Sequence, residues 1–236
     1  MKKAIAYCVS VFLFTGSILP IDATLKSNAM TTINDTAVTT WLALGDSYTI
    51  GESVPVHDRY PVQTCELLKV EGIRVADPEI IAVTGWTTQN LWNAVKDKPL
   101  TPTFSLVSLL IGVNNQYQGR SLEEYKQQFT ILLQRAIQLA ENKPGHVFVL
   151  SIPDYSITPF AVHSDKEKIA AEIDSFNNAN KEISLALHTR YLDITPASRK
   201  AAADPSLIAA DGLHFSGKEY HAWSAMLAPL IKSALQ

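Results

Sequence analysis

Apolar runs of strand length alternate along this chain with longer segments in which apolar positions recur at helical spacing. The short runs are Trp41 to Leu44, Ile80 to Val83, Phe104 to Ile111, Val147 to Ile152 and Tyr191 to Ile194. Helices are expected at about Val62 to Glu71, Thr88 to Lys96, Leu122 to Glu141, Lys166 to Leu187 and Gly217 to Ala234. Alternation of this kind builds parallel strands joined by crossover helices. The run from Phe104 to Ile111 is apolar nearly throughout, as a strand is when helices cover both faces of its sheet. The expected fold class is therefore α/β, a three-layer α/β/α sandwich around a central parallel sheet of about five strands. The third helix has the clearest signals. Ser121 followed by Glu124 reads as a capping box, and Leu122, Tyr125, Phe129, Leu132, Leu133 and Ile137 follow at helical spacing. No repeat, low-complexity tract or linker divides the segment.

The N-terminus departs from this pattern. Lys2 and Lys3 precede an apolar stretch from Ala4 to about Leu19, the layout of a secretory signal peptide. The stretch falls short of the roughly 20 residues that span a bilayer. Small residues before a cut occur in Ser27-Asn28-Ala29 and, less well, in Ile21-Asp22-Ala23. The expected organisation is a leader over residues 1–29 and one domain over residues 30–236, secreted or periplasmic after cleavage. At 236 residues and 47% hydrophobic the chain can bury a substantial core. A net charge of -3 and a pI near 6.1 offer no broad positive field, so nucleic acid is not an expected partner. No obligate protein partner is evident. Cys8 lies in the leader and leaves Cys65 alone, which excludes an internal disulfide or a cysteine-based metal site. Cys65 falls in an apolar pattern with Leu67 and Leu68 and reads as a buried, inert thiol.

In open parallel sheets, ligands bind beyond the carboxyl ends of the strands, and the informative residues fall there. The first strand ends in Gly45-Asp46-Ser47-Tyr48, with a serine at a tight turn. A serine needs a neighbouring base to become a nucleophile, and taken alone Ser47 reads equally as a turn or cap hydroxyl. Asp211-Gly212-Leu213-His214 precedes the last helix, and an Asp three residues before a His can fold back to accept the imidazole N–H. Alone, that pair also reads as a capping turn with a surface histidine. His57, His146, His163, His188 and His221 have no comparable setting and read as structural or solvated. Gly85, after the second strand, can offer a backbone N–H to an oxyanion, and Asn114, after the third, a side-chain amide. Their bland readings are a turn glycine and a loop asparagine.

Taken together and in this chain order, the four segments resemble the GDSL, or SGNH, hydrolase family. Its pattern is Gly-Asp-Ser near the start, a Gly after the second strand, Gly-x-Asn-Asp after the third, and Asp-x-x-His near the end. The resemblance runs from about Trp41 to the C-terminus. It implies Ser47 as nucleophile, His214 as base oriented by Asp211, and an oxyanion hole of the Ser47 amide, Gly85 and Asn114. One departure stands out: Asn115 replaces the family's usual Asp, which implies altered loop hydrogen bonding with the catalytic amide kept. The string from Leu44 to Ser53 also resembles a lysophospholipase-like branch.

The function so implied is a secreted serine ester hydrolase, carboxylesterase or lysophospholipase-like, acting on a small-molecule lipid, aryl or acetyl ester. A carbohydrate O-acetylesterase of the same fold is the alternative, and a non-catalytic glycan- or lipid-binding module a third reading. Tyr48, Trp86, Tyr117, Tyr155 and Phe215 lie on the same loops and are candidates to line the cleft or simply to pack the loops down. The chain holds no Gly-x-Ser-x-Gly elbow, no His-Glu-x-x-His, no dinucleotide fingerprint and no P-loop. No cofactor or metal is implied.

Overall fold

The structure, a computed structural model, describes Met1, residues 38–99 and residues 101–236. The chain divides into two units, residues 1–35 and 36–236. The expected leader and both of its cut sites lie, Met1 apart, outside the described residues.

Five strands form the sheet: β1 (Trp41–Gly45), β2 (Glu79–Ala82), β3 (Leu106–Leu110), β4 (Val147–Leu150) and β5 (Arg190–Leu192). All neighbours pair in parallel, in the order β2-β1-β3-β4-β5. Among the described residues the α-helices are, in chain order, α1 (Ser47–Ile50), α2 (Tyr60–Val70), α3 (Thr88–Val95), α4 (Val113–Tyr117), α5 (Leu122–Leu139), α6 (Lys166–Ala186), α7 (Thr195–Ser198) and α8 (Gly217–Leu235). Helices α2 and α8 pack on each other, while α5 packs against both α3 and α6. Right-handed crossovers place these groups on opposite faces of the sheet, because the connection from β1 to β2 runs one way and the later ones run the other. Every residue of β1, β3 and β4 is buried, which is why these strands read as continuous apolar runs.

Strand order reverses between β1 and β3, and the register brings the strand ends level there. Gly45 stands opposite Ala82 of β2 and Leu110 of β3. The three following loops therefore leave the sheet together, at the crevice where such sheets bind ligands. Gly45 is required for this: a Cβ on it would lie 2.1 Å from Thr49 Oγ1 and 2.5 Å from the Leu110 carbonyl oxygen.

The expected strands and long helices are present with small shifts at their ends. Two of those shifts have clear causes. Phe104 belongs to the core, but its amide bonds to the Leu139 carbonyl at the end of α5, so β3 begins later than the apolar run. Ile194 is buried, but its amide bonds to Ser151 Oγ, which takes over from the sheet ladder and ends β5 early. At α5 only half of the expected capping box forms. Ser121 Oγ accepts from the Glu124 amide at 3.1 Å, whereas the Glu124 carboxylate accepts from Gln128. A reciprocal box instead starts α3, with Thr87 and Asn90 each bonding the other's amide through their side chains. Cys65 is buried and unpaired, and burial pushes its thiol up to about 12.

Candidate active site

Asp46 caps α1 through its side chain, accepting from the Tyr48 amide at 3.1 Å, and so fixes Ser47 at the first helical position. The Ser47 amide has no acceptor among the described residues, as expected of a first-turn N–H. Its side chain lines a cleft of about 210 Å³ that is also bounded by Gly85, Asn114 and His214. Gly85 adopts φ 82°, in the left-handed region that favours glycine, with open space above its Cα and an amide that has no acceptor among the described residues. Asn114 sits in the first turn of α4. One hydrogen of its amide goes to the Trp86 carbonyl at 3.0 Å, which ties the β2 and β3 loops together and leaves the other hydrogen free. Three unused N–H donors and a serine hydroxyl thus share one cleft.

On the far wall, His214 Nδ1 meets Asp211 Oδ2 at 2.6 Å, and the Leu213 and His214 amides both donate to Asp211 Oδ1, at 2.9 and 3.0 Å. The Ser53 hydroxyl donates to Asp211 Oδ2 at 2.6 Å. Burial pushes the Asp211 carboxyl up, but the Ser53 hydroxyl, the His214 ring and the two amides outweigh it and hold the group well below the usual carboxylate range. Asp211 is therefore ionised beside the ring and favours a proton on Nδ1, which leaves Nε2 as the basic nitrogen. The Tyr48 ring meets the imidazole edge-on, with centroids 5.6 Å apart. No hydrogen bond joins Ser47 Oγ to His214. Such contacts commonly close only when substrate binds.

The pattern of the GDSL-like lipase/acylhydrolase family matches residues 43–222. The chain belongs to the GDSL-like lipase/acylhydrolase family. It is a carboxylic ester hydrolase. The solved structures similar to this GDSL hydrolase include a lipase/acylhydrolase from Enterococcus faecalis, with TM-score 0.66 and 17% identity over 83% of this chain and 96% of the other. The psychrotrophic esterase EstA from Pseudoalteromonas sp., inhibited by monoethylphosphonate, gives 0.65 and 14% over 84% and 98%. An acetyl xylan esterase from Geobacillus stearothermophilus gives 0.59 and 18% over 82% and 96%. At these identities the likeness is one of fold. No curated protein matches the sequence.

The GDSL hydrolase's departure at position 115 has a local explanation. Asn115 is fully buried; its Oδ1 accepts from the Thr88 amide at 3.0 Å and its Nδ2 donates to Thr88 Oγ1 at 2.8 Å. Thr88 in turn donates to Gln128. An aspartate there would keep the first bond but could not donate the second. Asn115 thus sets the direction of a hydrogen-bond relay from the β3 loop through the start of α3 to α5.

The aromatic candidates divide. Tyr48, Tyr117 and Tyr155 line the cleft. Trp86 does not, and packs against the core instead. Phe215 is fully buried between Tyr48 and Trp223, because the same tight loop that turns His214 outward turns its neighbour inward. Phe160 and Leu213 line the cleft and were not singled out from the sequence. Phe160 completes a triangle with Tyr117 and Tyr155, centroids 6.0 to 6.3 Å apart, and its amide bonds to the Gly212 carbonyl at 2.9 Å on the Asp–His loop. Among the other histidines, His146 bonds the Ser105 carbonyl and His221 bonds Gln63, both away from the cleft. Among the described residues no three His, Cys, Asp or Glu side chains gather as metal ligands.

Proposed function

We propose that the chain hydrolyses simple or lipid carboxylic esters through an acyl-enzyme on Ser47. The reading rests on one observation: His214, held by Asp211, bounds the same cleft as the Ser47 hydroxyl and the residues that carry three unpartnered N–H donors. His214 Nε2 takes the Ser47 proton as Oγ attacks the ester carbonyl. The oxyanion settles against the Ser47 and Gly85 amides and the free Asn114 hydrogen, in a site where such donors are each worth about 3 kcal/mol. Collapse expels the alcohol, protonated by His214. A water deprotonated by the same ring then attacks the acyl-enzyme, releases the acid and restores Ser47.

The substrate reading comes from the apolar part of the cleft lining. Val113, Tyr117, Tyr155, Phe160 and Leu213 form an apolar surface, suited to a hydrocarbon acyl chain. A cleft of this volume suits a short to medium chain. The runner-up is a carbohydrate O-acetylesterase, favoured by the exposed Tyr117 ring, on which a sugar can stack, and by a neighbour that is an acetyl xylan esterase. Export fits the basic, apolar N-terminus, with residues 1–29 as a cleaved leader and residues 30–236 as the secreted or periplasmic enzyme.

The test is hydrolysis of p-nitrophenyl esters from acetyl to dodecanoyl, with Ser47→Ala alongside. Turnover is expected to fall at least 10⁴-fold in the variant, since a lost nucleophile removes the covalent route altogether. Equal turnover by both proteins rules out Ser47. No turnover on any ester, with no labelling of Ser47 by a fluorophosphonate, points to the non-catalytic binding module instead.

A further inference from the structure

We infer that Ser53 is a positioning residue, holding the Asp211 carboxylate in register with the nucleophile's own turn. The inference rests on the reading of Asp211 as the group that orients the base. Asp211 receives four hydrogen bonds, and three come from its immediate neighbours, the Leu213 amide and the amide and ring of His214. The fourth, from Ser53 Oγ, crosses 158 residues of sequence. It falls on Oδ2, the oxygen that also holds the imidazole, so it fixes the carboxylate plane that the ring follows.

The other end of this contact leads to Ser47. The Glu52 amide donates to the Ser47 carbonyl at 2.9 Å, and Ser53 is the next residue. The Glu52 side chain meanwhile accepts from Thr84 Oγ1, beside Gly85. One short turn therefore reaches the nucleophile, the acid and the β2 loop. Its backbone is arranged for that. Ser53 has φ 64°, rare for a residue with a side chain. The other such residues among those described, Glu141, Asn142 and His188, follow the ends of the long helices α5 and α6, where left-handed termination is ordinary. Ser53 ends no long helix. An uncommon backbone conformation, kept where glycine fits best, is explained by a hydroxyl that glycine lacks.

Ser53→Gly separates the two features, since glycine suits the backbone while the hydroxymethyl group is lost. We expect kcat on p-nitrophenyl acetate to fall about tenfold, short of the roughly 100-fold of an ångström-scale misplacement because the local bonds to His214 remain. KM should stay within about twofold of wild type and Tm should be unchanged or higher, by the strain argument above. Ser53→Ala should lose the same kcat with a lower Tm. A Ser53→Gly enzyme with wild-type kcat, or one whose KM rises in step with the loss, overturns the positioning role. The wild type and Ser47→Ala are assayed beside it. Turnover that survives Ser47→Ala overturns the serine mechanism and this inference with it, whereas Ser47-dependent turnover with a normal Ser53→Gly overturns this inference alone.

Discussion

The floor and the rim of the cleft are built on different principles. On the floor, Ser47 is 4% exposed and Asn115 fully buried, and each polar group is fixed by strand ends, a cap or a buried hydrogen bond. On the rim, Tyr117 and Phe160 keep 59% and 46% of their surface exposed and meet ring to ring. A misplaced floor atom faces a close-packed interior that cannot yield, while a rim ring can change with little cost to the fold. On the proposed function, the floor sets the chemistry and the rim sets what is admitted to it.

The deepest floor group gives the largest test. Asp46 is fully buried, one of its carboxylate oxygens has no partner, and burial pushes it from 3.8 up to about 7 against the amides of Tyr48, Asp46 and Gly112. Below pH 3.8 the carboxyl is protonated in both folded and unfolded chains and costs nothing. As pH rises from there to about 7 the unfolded chain ionises first, so stability is lost, and above 7 the loss levels off. At about 1.4 kcal/mol per unit this amounts to on the order of 4 kcal/mol. Asp211, held low, runs the other way and gains stability as pH rises through 3.8. Denaturant unfolding of wild type and Asp46→Asn from pH 4 to 8 isolates the Asp46 contribution. The variant should lack the decline, and parallel curves would show that the carboxyl is ionised throughout.

One step up, Asn114→Ala removes the proposed oxyanion donor and also the bond to the Trp86 carbonyl. A loss of 10²- to 10³-fold in kcat with little change in KM is expected, because the donor acts on charge present only in the transition state. If KM rises instead, the residue chiefly shapes the loops.

Much of the floor's geometry was legible in the sequence because short spacing alone brings its residues together. Gly45-Asp46-Ser47 after an apolar run, and Asp211 three before His214, state a turn and a pair that local geometry can realise unaided. The short helices α1, α4 and α7 were not legible, since four or five residues show no period. Ser53 was missed as a contact because its partner is set by a left-handed backbone and by tertiary folding, neither of which leaves a pattern. Phe160 was missed for a similar reason. It follows Pro159 in a single 3₁₀ turn after β4, and the bond from its amide to the Gly212 carbonyl, a tertiary contact, ties it beside the cleft.

The rim gives the smallest effect and the one that most directly separates the two regions. If the ring triangle only seals the loops, Phe160→Ala and Tyr117→Ala should depress turnover of every ester alike. If it receives the acyl chain, acetyl ester turnover should stay within about twofold of wild type while kcat/KM for octanoyl ester falls about tenfold, since burying a few methylenes at roughly 0.8 kcal/mol each supplies that much discrimination. The ratio of octanoyl to acetyl kcat/KM is the quantity to measure, because losses in enzyme concentration or folding cancel in it. An unchanged ratio in both variants would assign the rings to packing and move the acyl chain to another wall. A ratio that falls on losing Phe160 but not Tyr117 would place the chain beside the Asp–His loop, where Phe160 is tied to Gly212, and would leave the more exposed Tyr117 ring free to meet the alcohol portion.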